Sequence, residues 1–212
     1  MRHAESDHAH DDLTEEGRSQ AAAVAERLAG EGVTRIYAAP ARRAGLTAYF
    51  TARCLDLPLS MLFCLRELAW STPGTSNDTP PWILGKRMLE EGFDFGSSDW
   101  QKHPYFDGNI VTGCYRELTE EFDAFLEEYG YRHEGRRFFC ENGSAETIAA
   151  FSHGGSTEAI LAHLLNLPFP YVTHVMQHDP ASIIILEFPV NNGSYVFPRL
   201  ELFNDCSGHR TK

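Results

Sequence analysis

The sequence predicts an α/β fold: a three-layer sandwich with a mostly parallel central sheet, helices on both faces and an inserted lid segment. Three observations predict it. Strand-like and helix-like segments alternate along the chain, the order that a parallel sheet requires. Residues 147–152 form an apolar run of strand length, as in a strand buried on both faces. Residues 70–115 depart from both patterns, being rich in Gly, Pro, Ser, Asp and aromatics such as Trp82, Trp100, Tyr105 and Phe106. That stretch reads as an insertion or lid within one domain spanning 1–212.

The elements follow in order. Residues 14–30 predict a helix, because Ala21, Val24, Ala25 and Leu28 recur at helical spacing. Thr14 is placed to cap it, Glu15 and Glu16 suit its positive end, and Gly30 and Gly32 stop it. Residues 35–39 predict a short strand ended by Pro40, and residues 41–54 a second helix. A further strand is expected at 61–65. Residues 115–129 predict an amphipathic helix with Tyr115, Leu118, Phe122, Phe125, Leu126 and Tyr129 on one face. After the 147–152 strand, His153-Gly154-Gly155 leads into a helix over 156–166. Residues 182–188 and 195–203 predict two strands joined as a hairpin around Asn191-Asn192-Gly193.

Composition bounds the function. The formal net charge of -12 argues against nucleic acid or an anionic membrane as partner, since both demand a basic surface. An anionic small molecule needs only a local positive cluster. No window approaches the roughly 18 apolar residues of a membrane span. The polar start, Met1-Arg2-His3-Ala4, shows no signal peptide. Five cysteines without a C-x-x-C pair fit reduced thiols, so a soluble, cytoplasmic protein is expected.

Three predicted strand-to-helix junctions carry the chemistry: Arg2-His3-Ala4-Glu5-Ser6, Ala39-Pro40-Ala41-Arg42-Arg43-Ala44 and Ser152-His153-Gly154-Gly155. Ligands of open α/β sheets sit at the carboxyl ends of strands, where helix N-termini offer free N–H groups to anions. The glycines let backbone approach a ligand closely, and Arg offers a planar fork suited to phosphate.

These segments resemble the histidine phosphatase, or phosphoglycerate mutase-like, superfamily. Arg2-His3-Ala4-Glu5 is similar to its Arg-His-Gly signature. Leu13-Thr14-Glu15-Glu16-Gly17 through Gln20-Ala21 is similar to its Leu-Thr-x-x-Gly-x-x-Gln-Ala. Residues 39–48 resemble its Ser-Pro-Leu-x-Arg-Ala-x-x-Thr-Ala pattern, and Leu65-Arg66-Glu67 resembles its Leu-x-Glu. Ser152-His153-Gly154-Gly155 resembles the second histidine motif, and Asn204-Asp205-Cys206-Ser207-Gly208-His209 the family's ending. The resemblance implies that His3 becomes a phosphohistidine, that Arg2, Arg43 and His153 bind the phosphoryl oxygens, and that Glu67 protonates the leaving group. Ser6 and the Gly154 N–H are weaker candidates for phosphate contacts. The implied substrate is a small phosphorylated metabolite, and neither cofactor nor metal is implied.

Members of that family also carry a short hydrophobic strand directly before Arg-His, whereas this chain opens on the motif. The resemblance implies one of two things: the true N-terminal residues are missing from this sequence or, if it is complete, His3 is expected on a frayed end with poor activity or stability.

Bland readings compete at several positions. A single histidine near a terminus is ordinarily a surface residue, Arg42 and Arg43 could be helix-surface charges, and Glu67 could be a structural partner of an arginine. His178-Asp179 reads as a loop near the pocket. His3, His8 and His10 do not form a diagnostic metal site, and Gly85-Lys86 lacks the rest of a P-loop. Besides the phosphatase, two readings stand: a phosphoglycerate-type mutase and a non-catalytic protein that binds a phosphorylated ligand.

Overall fold

The computed structural model describes residues 1–71 and 77–208. Part of the expected lid, residues 72–76, and the last motif position, His209, lie outside the described residues. In chain order the elements are β1 (Ser6–Asp7), β2 (Asp12–Leu13), α1 (Glu15–Leu28), β3 (Arg35–Ala38), α2 (Arg42–Leu55), β4 (Leu59–Met61), α3 (Pro81–Glu90), α4 (Val111–Glu127), β5 (Tyr131–Glu134), β6 (Arg137–Cys140), β7 (Ile148–Phe151), α5 (Gly154–Leu164), α6 (Phe169–Val175), β8 (Ile183–Glu187), β9 (Ser194–Val196) and β10 (Arg199–Asp205).

The central sheet is parallel, in the order β4-β3-β7, with Ile36 opposite both Leu59 and Ala149. A parallel bridge between Arg2 and Ser152 lays the first residues beside β7. Here the Met1 amine donates to Ala150 O at 2.7 Å, and the His3 N–H donates to Ser152 O at 2.8 Å. On the other side, the Ala181 N–H donates to the His3 carbonyl at 3.1 Å, just ahead of the antiparallel pair β8 and β10. His3 is therefore not frayed but buried, at 4% exposure, with both of its peptide groups bonded. Beyond Met1, a cavity of about 550 Å³ opens between β7 and β8, walled by Ile148, Ala150, Ile184 and Leu186.

Alternate residues of β3 divide between two apolar clusters. Ile36 and Ala38 join Ala21, Val24, Leu28, Ala48 and Ala52 of α1 and α2, while Tyr37 packs with Phe125 of α4 and its neighbours. Helix α1 starts as its sequence dictates, with Thr14 Oγ1 accepting from the Gly17 N–H at 3.0 Å.

Four expectations need correction. The segment 61–65 is not a strand: β4 ends at Met61 and a 3-10 turn at Phe63–Leu65 buries Cys64 and Leu65. Within 70–115, helix α3 forms, burying Pro81, Leu84, Gly85 and Met88 at helical spacing, and α4 begins at Val111 rather than 115, where Asn109 Oδ1 accepts from the Val111 N–H. The hairpin β5–β6 and helix α6 were not expected. Finally, 195–203 is two strands, because Pro198 cannot donate to a ladder; β9 pairs with β6 and only β10 pairs with β8. Gly85 has a packing reason, since a Cβ there would lie 2.0 Å from Pro170 O of α6.

Candidate active site

The carboxyl edge of the parallel sheet gathers the three junctions. The Arg2 bridge is followed at once by His3. Strand β3 feeds α2, whose second residue is Arg43. Strand β7 feeds α5 through His153. A fourth piece, the turn after β4, carries Glu67 toward the start of α5, held by Ser152 Oγ donating to Leu65 O at 2.8 Å.

Arg43 is the hub. Its Nε donates to His3 Nε2 at 3.2 Å, its Nη2 to His153 Nδ1 at 3.1 Å, and its Nη1 to Asp11 Oδ1 at 2.6 Å. A guanidinium only donates, so each imidazole nitrogen facing it must present a lone pair. The tautomers follow. His3 Nδ1 carries its proton and donates to Ala4 O at 2.8 Å. In His153 the proton sits on Nε2, which is buried without a partner among the described residues. The two rings meet edge to face, with centroids 5.1 Å apart.

Electrostatics hold both rings neutral. Burial, with Arg43 and Arg2 adding repulsion, lowers the His3 pKa to about 4, against the opposing pull of its bond to Ala4 O. Burial and then Arg43 lower His153 to about 3. Glu67 moves the other way: burial raises its pKa and so favours the protonated acid, although the Leu68 N–H bond to Oε1 and the nearby arginines oppose this. Its Oε2 lies 3.8 Å from His153 Nδ1.

Arg2 donates from Nη1 to the His178 carbonyl at 2.8 Å, while its buried Nε has no partner among the described residues. The two glycines of α5 make room for these groups. A Cβ at Gly154 would sit 3.7 Å from the Arg2 guanidinium carbon, and one at Gly155 would sit 3.1 Å from Glu67 Oε1. Thus Arg2, His3, Arg43, Glu67, His153 and Gly154 come together. Ser6 lies on β1 with a buried hydroxyl that has no partner among the described residues. His178 enters through its backbone. Its ring is buried and lowered to about 3 by burial, the Met1 amine and Arg2.

Two neighbours escape sequence reasoning. Asp11, in the tight turn between β1 and β2 with φ of 49°, accepts from the Arg42 N–H at 2.7 Å as well as from Arg43. It thereby caps α2, whose own Ala41 has no side-chain cap. Burial works against its charge, but the bonds from Arg43 and Arg42 outweigh that and hold its carboxyl below the usual range. Glu158 is buried on α5, and its pKa is pushed up to about 8 by burial, with Arg2 opposing and Glu67 adding. A charged residue directly before the apolar run 159–162, on the helix that follows His153, was the available signal.

No helix among the described residues is long and apolar enough to cross a membrane. No curated protein matches the chain. Among solved structures, it is similar to a mycobacterial glucosyl-3-phosphoglycerate phosphatase, with 23% identity over 96% of this chain and 95% of the other, at a TM-score of 0.60. It is also similar to a mutant phosphoserine phosphatase of Entamoeba histolytica in complex with phosphoserine, with 21% identity over 98% and 95% at 0.61. A putative alpha-ribazole-5'-P phosphatase of Escherichia coli shows 20% identity over 97% and 95% at 0.62. These likenesses establish a common fold. The sequence model of the histidine phosphatase superfamily (branch 1) matches residues 1–199, nearly the whole chain and every junction of the site, and the chain belongs to that superfamily.

Proposed function

We propose that this histidine phosphatase hydrolyses a small phosphorylated metabolite through a phosphohistidine on His3. The carrying observation is the pinned tautomer: Nδ1–H bonded to Ala4 O leaves a neutral Nε2 lone pair facing Arg43. Nε2 attacks phosphorus and the bond to the leaving oxygen breaks. Arg43 turns from the imidazoles to the phosphoryl oxygens, and the unpartnered Arg2 Nε and His153 Nε2–H supply further donors. The protonated Glu67 gives its proton to the departing alkoxide. Its carboxylate then takes one from the water that attacks phosphohistidine, restoring neutral His3 and releasing phosphate.

The division of β3 side chains between two clusters supports a three-layer arrangement. We assign substrate choice to the lid at 70–115. The phosphatases of mycobacteria, Entamoeba histolytica and Escherichia coli described above carry names of small phosphorylated compounds, which supports that substrate class.

The test is trapping after brief reaction with labelled nitrophenyl phosphate. Wild type yields an acid-labile, base-stable adduct, and His3→Ala loses both adduct and turnover. Turnover by that variant would end the proposal.

A further inference from the structure

Three elements place Asp123 of α4, His133 of β5 and His163 in the last turn of α5 against one another, away from the site above. His133 Nδ1 lies 2.8 Å from Asp123 Oδ2, and His163 Nε2 lies 2.7 Å from Asp123 Oδ1. One ligand atom from each of the three falls within 4.8 Å of the others. The rings of His133 and His163 meet edge to face at 4.5 Å, and His133 stacks on Phe138 at 4.7 Å, so its plane is fixed from behind. All three side chains are mostly buried yet retain 14–23% exposure, which leaves an opening for an ion and a water.

We propose that Asp123, His133 and His163 form a binding site for a divalent transition metal, with zinc as its natural fit. Two imidazoles and one carboxylate are the ligand types zinc prefers, and three protein ligands leave a fourth position for water. Tetrahedral bonds of about 2.0–2.1 Å require ligand atoms roughly 3.4 Å apart. The carboxylate therefore moves outward by less than an ångström from each imidazole, and the imidazoles close on the ion. Each imidazole keeps its one proton, which shifts to the nitrogen turned away from the metal. For His133 that nitrogen is Nε2, buried and without a partner among the described residues.

The site ties α4 and β5 to the far end of the helix that His153 begins. His163 lies ten residues beyond His153 along α5, about 15 Å at 1.5 Å per residue. The bound ion accordingly fastens the scaffold and takes no part in phosphoryl transfer.

The test uses the full chain after chelation. Titration calorimetry with zinc chloride should show one ion per chain. Zinc at about a hundred times the dissociation constant should raise Tm by roughly 5–10 °C. His163→Gln and Asp123→Asn, each shown folded in chelator, should weaken binding at least about tenfold. His10→Ala, which removes a histidine of the N-terminal loop, should leave binding unchanged. Cobalt in wild type should give the intense visible absorption of four- or five-coordinate ions. Absence of stoichiometric uptake, uptake indifferent to His163→Gln and Asp123→Asn, or a faint six-coordinate cobalt spectrum would each overturn the assignment.

Discussion

Replacing Arg43 by lysine tests the hub directly. Arg43 spends three nitrogens on three partners, His3, His153 and Asp11. An ammonium is a single point and can face only one of them. In the proposed reaction the two nitrogens that now face the imidazoles, Nε and Nη2, turn to the phosphoryl oxygens, where bonds to a charged group are worth about 1.5 kcal/mol each at the low end. Losing both forfeits about 3 kcal/mol of transition-state stabilisation, or roughly a hundredfold in kcat/KM at 1.36 kcal/mol per decade. The assay is kcat/KM for nitrophenyl phosphate, with Tm measured alongside to show that Arg43→Lys is folded. Arg42→Lys is the control. Arg42 is 64% exposed and pairs with Asp12, so that change should stay within about twofold. If folded Arg43→Lys works within threefold of wild type, or Arg42→Lys is equally damaging, the hub reasoning is wrong.

Two more predictions follow from the same geometry. Glu67→Gln should slow hydrolysis of a sugar phosphate by roughly a hundredfold or more, yet spare nitrophenyl phosphate, whose leaving group departs without a proton; equal loss on both would make Glu67 a structural carboxylate. Conformational stability should fall as pH drops below about 6.5. In this range the unfolded chain takes up protons that buried His3, His153 and His178, with pKa values of about 4, 3 and 3, refuse. Glu158, raised to about 8, has the opposite sign: its contribution is full below the ordinary carboxyl range and is lost as pH rises through 8. Three histidines outweigh it between pH 5 and 6.5, for a net slope of about 1–3 kcal/mol per pH unit. Urea midpoints that stay level from pH 7 to 5 would contradict this.

What the sequence could disclose depended on whether the cause was local. Helix α1 was legible because Thr14 and the apolar spacing of Ala21, Val24 and Leu28 act within one segment. Strand β7 was legible from its unbroken apolarity. Helix α3 carries the same spacing at Pro81, Leu84, Gly85 and Met88, but the surrounding Gly- and Asp-rich turns masked it. The split at Pro198 was readable from proline's missing donor, whereas β9's choice of β6 as partner depends on chain 50 or more residues away. In the site, the motif residues stood at junctions that the parallel sheet must bring to one edge. Asp11 did not stand out, since its partners Arg42 and Arg43 reach it only through the tertiary fold. Asp123, His133 and His163 were invisible for the same reason: no spacing along the chain foretells that α4, β5 and α5 converge.

The backbone of His3 is a rivet. Its N–H fastens to the parallel sheet at Ser152, and its carbonyl receives the N–H of Ala181 at the edge of the β8–β10 pair. Beside this link, Ala149 and Phe151 of β7 share one apolar cluster with Ala181 and with Ile183 of β8. The atom proposed to accept phosphorus thus hangs from the same residue that joins the sheets. Changing its side chain should silence the chemistry while the rivet stays in place. Heat that parts the sheets should remove chemistry and architecture together, so thermal inactivation and loss of tertiary structure are expected at the same temperature.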